Sequence, residues 1–261
     1  MFVDIFAQIA SKIDVFLLIV ARVGGIFLIG PVFSNRVIPR QVKALLTIML
    51  SLVLFISLQL KPPPIPSQLG PFTIFLISEV IIGLVIGFVA QMTFAAVQFA
   101  GQAIDMQLGF AIVNVIDPVY GTQAPLIGSF QNLLALLLFL GTNSHHYMIM
   151  ALYQSYQRIP LFGLAAGTEV TTVMVDLFGS MLVTGLKLAI PVVGAAFISE
   201  VALGLIARMM PQMQVFFVGI PAKVFVGLVL LMMILPIYIT TMQLLFDGNF
   251  QDTLRILKMM G

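Results

Sequence analysis

From Phe72 to Phe110 nothing in the chain would end a helix: there is no proline and no cluster of turn residues, and the only charges are Glu79 and Asp105. A helix of that length reaches about 55–60 Å at roughly 1.5 Å per residue, well past a hydrocarbon core of about 30 Å. Its first half is membrane-like, and Gly83 and Gly87 form a GxxxG that lets two backbones approach closely. The second half differs. At about 100° per residue, Gln91, Gln98, Gln102 and Asp105 fall within a stripe of about 60°. A polar row on so narrow a face must meet a partner helix or water.

The rest of the chain sharpens that tension. It is 61% hydrophobic and 8% charged, with mean hydropathy +1.14, whereas a soluble surface needs roughly 25–35% charged residues. Lipid or other apolar subunits must therefore solvate much of it. Twelve basic and ten acidic side chains leave +2. The densest basic group, Arg36, Arg40 and Lys43, suits a short loop at a membrane face better than nucleic acid. Without cysteine there is no disulfide or thiolate chemistry. The N-terminus lacks a basic n-region and a cleavage site, so it reads as the entry to the first helix rather than a secretory signal.

Apolar segments are expected over about 13–31, 44–60, 126–140, 147–156, 169–209 and 215–246, with Pro191 kinking the fifth. Lys61 to Pro66 is a break, because proline supplies no amide donor and restrains its predecessor. The tail after Gly248 reads as polar and amphipathic. The chain divides into two helical hairpin systems, 1–165 and 166–261, giving an all-α, membrane-associated fold with long kinked helices.

Catalytic signatures are missing: no HExxH, GxSxG, Walker A or GxGxxG. His145 and His146 are adjacent and point about 100° apart on a helix, so they read as polar residues at a helix end. Asp176, Lys187 and Glu200 within apolar helices need interior partners or water. They admit a packing role or a proton path. Residues 111–125 form a loop that is unexpectedly greasy, with Ile112, Val113, Val115 and Ile116 beside Asp117-Pro118, Gly121 and Pro125. It is either a surface connection or a re-entrant gate, since irregular backbone at membrane depth must lie in protein or line a cavity. Met209, Met210 and Met213 with Phe216 and Phe217 are soft side chains that suit a core, a lipid face or an adaptable seal.

Two stretches resemble the FliR family. One is Gly101-Gln-Ala-Ile-Asp105-Met-Gln107-Leu-Gly109-Phe110, continuing through Asp117-Pro118, Gly121, Gln123, Pro125 and Phe130 to Leu137–Leu140. The other is Arg208-Met-Met-Pro211-Gln212-Met213-Gln-Val-Phe216-Phe217-Val-Gly219-Ile-Pro221, similar to that family's Pro-Gln-Met turn, although Gln214 stands where Asn is common.

The resemblance implies a non-enzymatic export-gate subunit of bacterial type III secretion, in the inner membrane within the flagellar basal body. It implies partners of FliP and FliQ type in a helical assembly, an FlhB-type switch protein, an FlhA-type component, membrane lipid and unfolded flagellar proteins as cargo. No nucleic acid and no cofactor or metal are implied. Residues 1–165 would be FliP-like and 166–261 FliQ-like. A plug at about 106–122 would include Phe110, Ile112, Val113, Ile116, Asp117, Pro118, Gly121 and Gln123. A pore constriction or partner interface would include Met209, Met210, Gln212, Met213, Phe216 and Phe217, and the Gln91–Asp105 stripe would be an intersubunit seam. An injectisome export-gate homologue or a proton-coupled secondary transporter are the alternatives.

Overall fold

A computed structural model describes residues 12–34, 38–58, 69–110, 125–161, 163, 168–210 and 215–261, excepting the side chains of Leu69, Thr168, Val215 and Phe216. The described residues hold seven helices: α1 (Ile13–Ile29), α2 (Arg40–Leu58), α3 (Leu69–Leu108), α4 (Leu126–Gly141), α5 (Ser144–Arg158), α6 (Thr168–Met209) and α7 (Val215–Met260). The fold is all-α, as the periodicity predicts. Among the described residues α2, α3, α6 and α7 are long and apolar enough to cross a membrane, and α4 with α5 can form a fifth, broken span.

One departure from the sequence reading has a physical cause. The last helix runs on through Asp247 and Gly248 to Met260. Thr253, Ile256, Leu257 and Met260 are buried at helical spacing, and Asn249 Nδ2 donates to the Val89 carbonyl at 3.1 Å. Docking of that face offsets the weak helix propensity of Asp-Gly. Helix α6 runs from Thr168 to Met209 as the sequence reading expects, with Pro191 inside it and exposed.

Contacts group the chain into two compact units. The first comprises Met1–Gln91, Asn143–Asp176 and Asp247–Gly261, and the second Met92–Thr142 and Leu177–Phe246. This partition by packing is a different one from the likeness-based division at 165/166.

In the first unit, α1 crosses α3 at Gly25 and Gly83. A Cβ on Gly83 would strike the Arg22 carbonyl, and one on Gly25 would lie 2.5 Å from the Val80 carbonyl. The GxxxG thus meets a helix of its own chain. That crossing lets Arg22, fully buried, reach Glu79 through Nε–H at 2.6 Å. Its other nitrogens donate to Ser155 Oγ at 3.0 Å and the Ile159 carbonyl at 3.2 Å. The guanidinium carbon sits 4.1 Å from the Tyr156 ring centre, a cation–π contact. A desolvated pair holds only where geometry and extra hydrogen bonds satisfy both ions. Here they do so except at Glu79 Oε1, which has no hydrogen-bond partner among the described residues.

In the second unit the core is Ala100, Ile104, Leu108, Ile127, Ala189, Val192 and Ala196. Phe94, Phe139 and Phe246 form an aromatic cluster with ring centres 5.2–5.7 Å apart. Small residues again permit close approach: a Cβ on Gly101 would strike Gly128 Cα. Much of the second unit's surface stays apolar, including Phe197, Ile198, Val201 and Leu205 on α6 and Phe225 on α7. Large exposed apolar area of this kind marks lipid or protein contact.

Candidate functional site: the stem of segment 111–124

Helix α3 ends in a Schellman turn. The Gly109 N–H donates to the Met106 carbonyl at 3.2 Å, and the Phe110 N–H to the Asp105 carbonyl at 3.1 Å. Gly109 has φ 89°, a left-handed conformation that only glycine takes without strain. The turn directs Phe110 onto the second unit's core, where it packs half-buried.

Fifteen residues after Phe110 comes Pro125, which cannot cap α4 with a side chain. Asp105 does so instead. Its Oδ1 accepts the Ile127 N–H and its Oδ2 the Gly128 N–H, both at 3.0 Å. These amides are among the orphan donors of a helix N-terminus, where a carboxylate is also favoured by the helix dipole. Each charge-assisted bond is worth about 1.5–3 kcal/mol. With Asp105 only 4% exposed, the clamp ties the two ends of segment 111–124 together.

A second polar contact flanks the stem. Glu200 Oε2 on α6 accepts Lys223 Nζ of α7 at 2.9 Å and Gln107 Nε2 of α3 at 3.2 Å. Three helices thus converge on one carboxylate beside the end of α3. No cluster able to hold a metal occurs among the described residues.

The predicted site residues fall as follows. Phe110 is placed in the stem, while Ile112, Val113, Ile116, Asp117, Pro118, Gly121 and Gln123 lie outside the described residues, as do Gln212, Met213 and the Phe216 side chain. Met209 and Met210 are 82% and 57% exposed and stand clear of the protein's own core, and Phe217 is 73% exposed. In the polar stripe, Gln98 and Gln102 are exposed, Gln91 is half-buried with Oε1 unpartnered, and Asp105 turns inward. Asp176 and Lys187 are exposed and form no ion pair among the described residues. His145 and His146 lie side by side with ring centres 4.3 Å apart and their planes tilted by 40°.

Sequence reasoning missed two features. One is the pairing of Arg22 with Glu79, a cation and an anion in two apolar segments that each need an interior partner. The other is Gly109, which carried a cap signal in its place just after the last periodic residue.

Long apolar helices and close glycine crossings define an all-α, membrane-associated protein. Residues 13–248 match the sequence model of the bacterial export proteins, family 1. The Flagellar biosynthetic protein FliR of Bacillus subtilis (strain 168) is 32% identical, covering 97% of this chain and 98% of its own. Those of Escherichia coli (strain K12) and Caulobacter vibrioides are 30% and 31% identical over 88% and 85% of this chain, and over 87% and 88% of their own. The chain belongs to the FliR family of bacterial export proteins.

Proposed function

We propose that this protein is a non-enzymatic subunit of the flagellar type III export gate in the bacterial inner membrane, within the flagellar basal body. It joins FliP- and FliQ-type subunits around a channel for unfolded flagellar proteins, alongside FlhA- and FlhB-type components. Its residues 1–165 act as the FliP-like part and 166–261 as the FliQ-like part. The curated relatives carry a flagellar name over almost their whole length, which favours this reading over an injectisome homologue.

The observation that carries the mechanism is the Asp105 clamp. A stopper that swings aside for cargo needs a rigid stem, or each opening would unravel the helices that carry it. Asp105 and the Gly109 turn provide that stem, and segment 111–124, from Ile112 to Gln123, is the stopper. Met209 and Met210, largely exposed in this chain, face partner subunits or the channel together with Gln212, Met213, Phe216 and Phe217. Gln98 and Gln102 hydrogen-bond across the seam with a neighbouring subunit.

Deleting residues 110–119 tests this in intact cells. Ion leakage should rise while the amount of assembled complex holds. Normal complex without added leak would rule out the plug.

A further inference from the structure

The first unit carries a groove with two cations and no acid. It lies between α1 and α2 beside Val80 and encloses about 510 Å³, within the roughly 300–1,000 Å³ of typical ligand sites. Ala21, Gly24 and Ala44 make its walls low. A Cβ on Gly24 would find only Thr47 Cγ2, 4.0 Å away, so the space over it is open. The Thr47 hydroxyl bonds back to the Lys43 carbonyl at 2.8 Å and adds no polar demand to the groove.

The groove has polarity along its length. Phe16 meets Phe55 while Gly24 faces Thr47, so α1 and α2 run antiparallel. Arg40 and Lys43 therefore sit at the Leu28 end. The apolar end, at Val20, lies about 12 Å further along α1 at roughly 1.5 Å per residue. Among the described residues neither cation has an ion-pair partner, and no lining residue is acidic. Both cations occupy the first turn of α2, where the helix dipole adds positive potential. Helix α2 is 19 residues long, enough to span a bilayer, so its end lies near the depth of lipid phosphates.

We propose that this groove binds an anionic phospholipid. The headgroup phosphate pairs with Arg40 and Lys43, and one acyl chain lies along Ala21, Gly24 and Ala44. Charge selects this occupant: a neutral protein segment would leave two cations unpaired, and a zwitterionic headgroup brings a cation of its own. Basic pockets between spanning helices take anionic headgroups for this reason. The inference does not depend on the export reading.

The test uses the full chain in its native complex, extracted in mild detergent and incubated with phosphatidylglycerol bearing a photoreactive acyl chain. Mass spectrometry should find adducts within residues 20–47, displaced by unlabelled phosphatidylglycerol and not by phosphatidylcholine. The Arg40→Gln/Lys43→Gln variant should lose about tenfold of the labelling. Gly24→Leu, which fills the open space, should lose a similar share. The charge-keeping Arg40→Lys/Lys43→Arg variant should retain it, which separates lost charge from lost fold. Equal displacement by phosphatidylcholine would overturn the proposal. So would labelling that disappears in the charge-keeping variant, or a groove that crosslinks to residues 1–11, a second copy or another subunit instead of lipid.

Discussion

Arg22 in the first unit and Asp105 in the second are both buried charges in apolar helices, yet they are neutralised by different parts of the chain. Arg22 meets a side chain, Glu79, and spends its remaining donors on Ser155 and Ile159. Asp105 meets two backbone amides. A pair of side chains fixes three helices at one point but fails badly when either member goes. A carboxylate on backbone amides fixes where a helix begins and ties that start to the end of another helix. The first arrangement suits a junction of helices and the second a fixed helix start.

Breaking the junction should give the largest effect. Arg22→Met strands Glu79 with no partner on either oxygen, a loss of about 3–5 kcal/mol for a buried pair broken on one side. Complex recovered from membranes should fall severely. The double variant Arg22→Met/Glu79→Leu should recover much of the yield, because two apolar groups need no partners. If the double variant is no better than the single, the pair does more than hold helices together.

Asp105→Ala comes next, since it leaves two buried N–H groups without acceptors at about 1–3 kcal/mol each. Asp105→Asn keeps one acceptor oxygen and should fall between the wild type and Asp105→Ala. The comparison predicts different symptoms as well as sizes. Arg22 variants should lose complex and motility together. Asp105 variants should assemble in part and leak ions, measured as cytoplasmic acidification or dye loss in intact cells.

Gly109→Ala is a smaller perturbation of the same stem. At φ 89° an alanine costs about 1 kcal/mol, and the position carries no buried charge. Assembly should be nearly normal, with a leak below that of Asp105→Ala. A leak as large as the aspartate variant's would mean that the turn, more than the clamp, positions the segment.

How far the sequence disclosed these regions follows from the range of the forces involved. The long helix around Gln91–Asp105 was legible within a few residues because periodicity and the absence of breakers are local. The GxxxG at Gly83 and Gly87 announced a close crossing for the same reason. The partner in that crossing was not legible, and neither was the pairing of Arg22 with Glu79, 57 positions apart. The stripe of Gln98, Gln102 and Asp105 shows the limit clearly. A shared helix face was readable, but whether each residue turns toward α4 or outward depends on which helix lies alongside. The continuation past Gly248 was hidden likewise, because tertiary docking overrode a weak local stop.

The smallest effect is expected at Glu200, where the comparison can be sharpened most. Its bond to Lys223 joins α6 and α7 as Arg22–Glu79 joins α1 and α3, but the Glu200 side chain is 60% exposed against 0% for Glu79. Exposed pairs in a polar medium contribute little, since solvent and salt screen them. Glu200→Gln should therefore leave complex yield and heat stability unchanged, and Gln107 can still donate to the remaining amide oxygen. That expectation holds if the Glu200 face borders water or a hydrated channel. If the face borders hydrocarbon or a tightly packed subunit, Lys223 would be stranded in an apolar medium and the yield would fall toward that of Asp105→Ala. One substitution thus reports what surrounds the α6–α7 hairpin at the level of the stem.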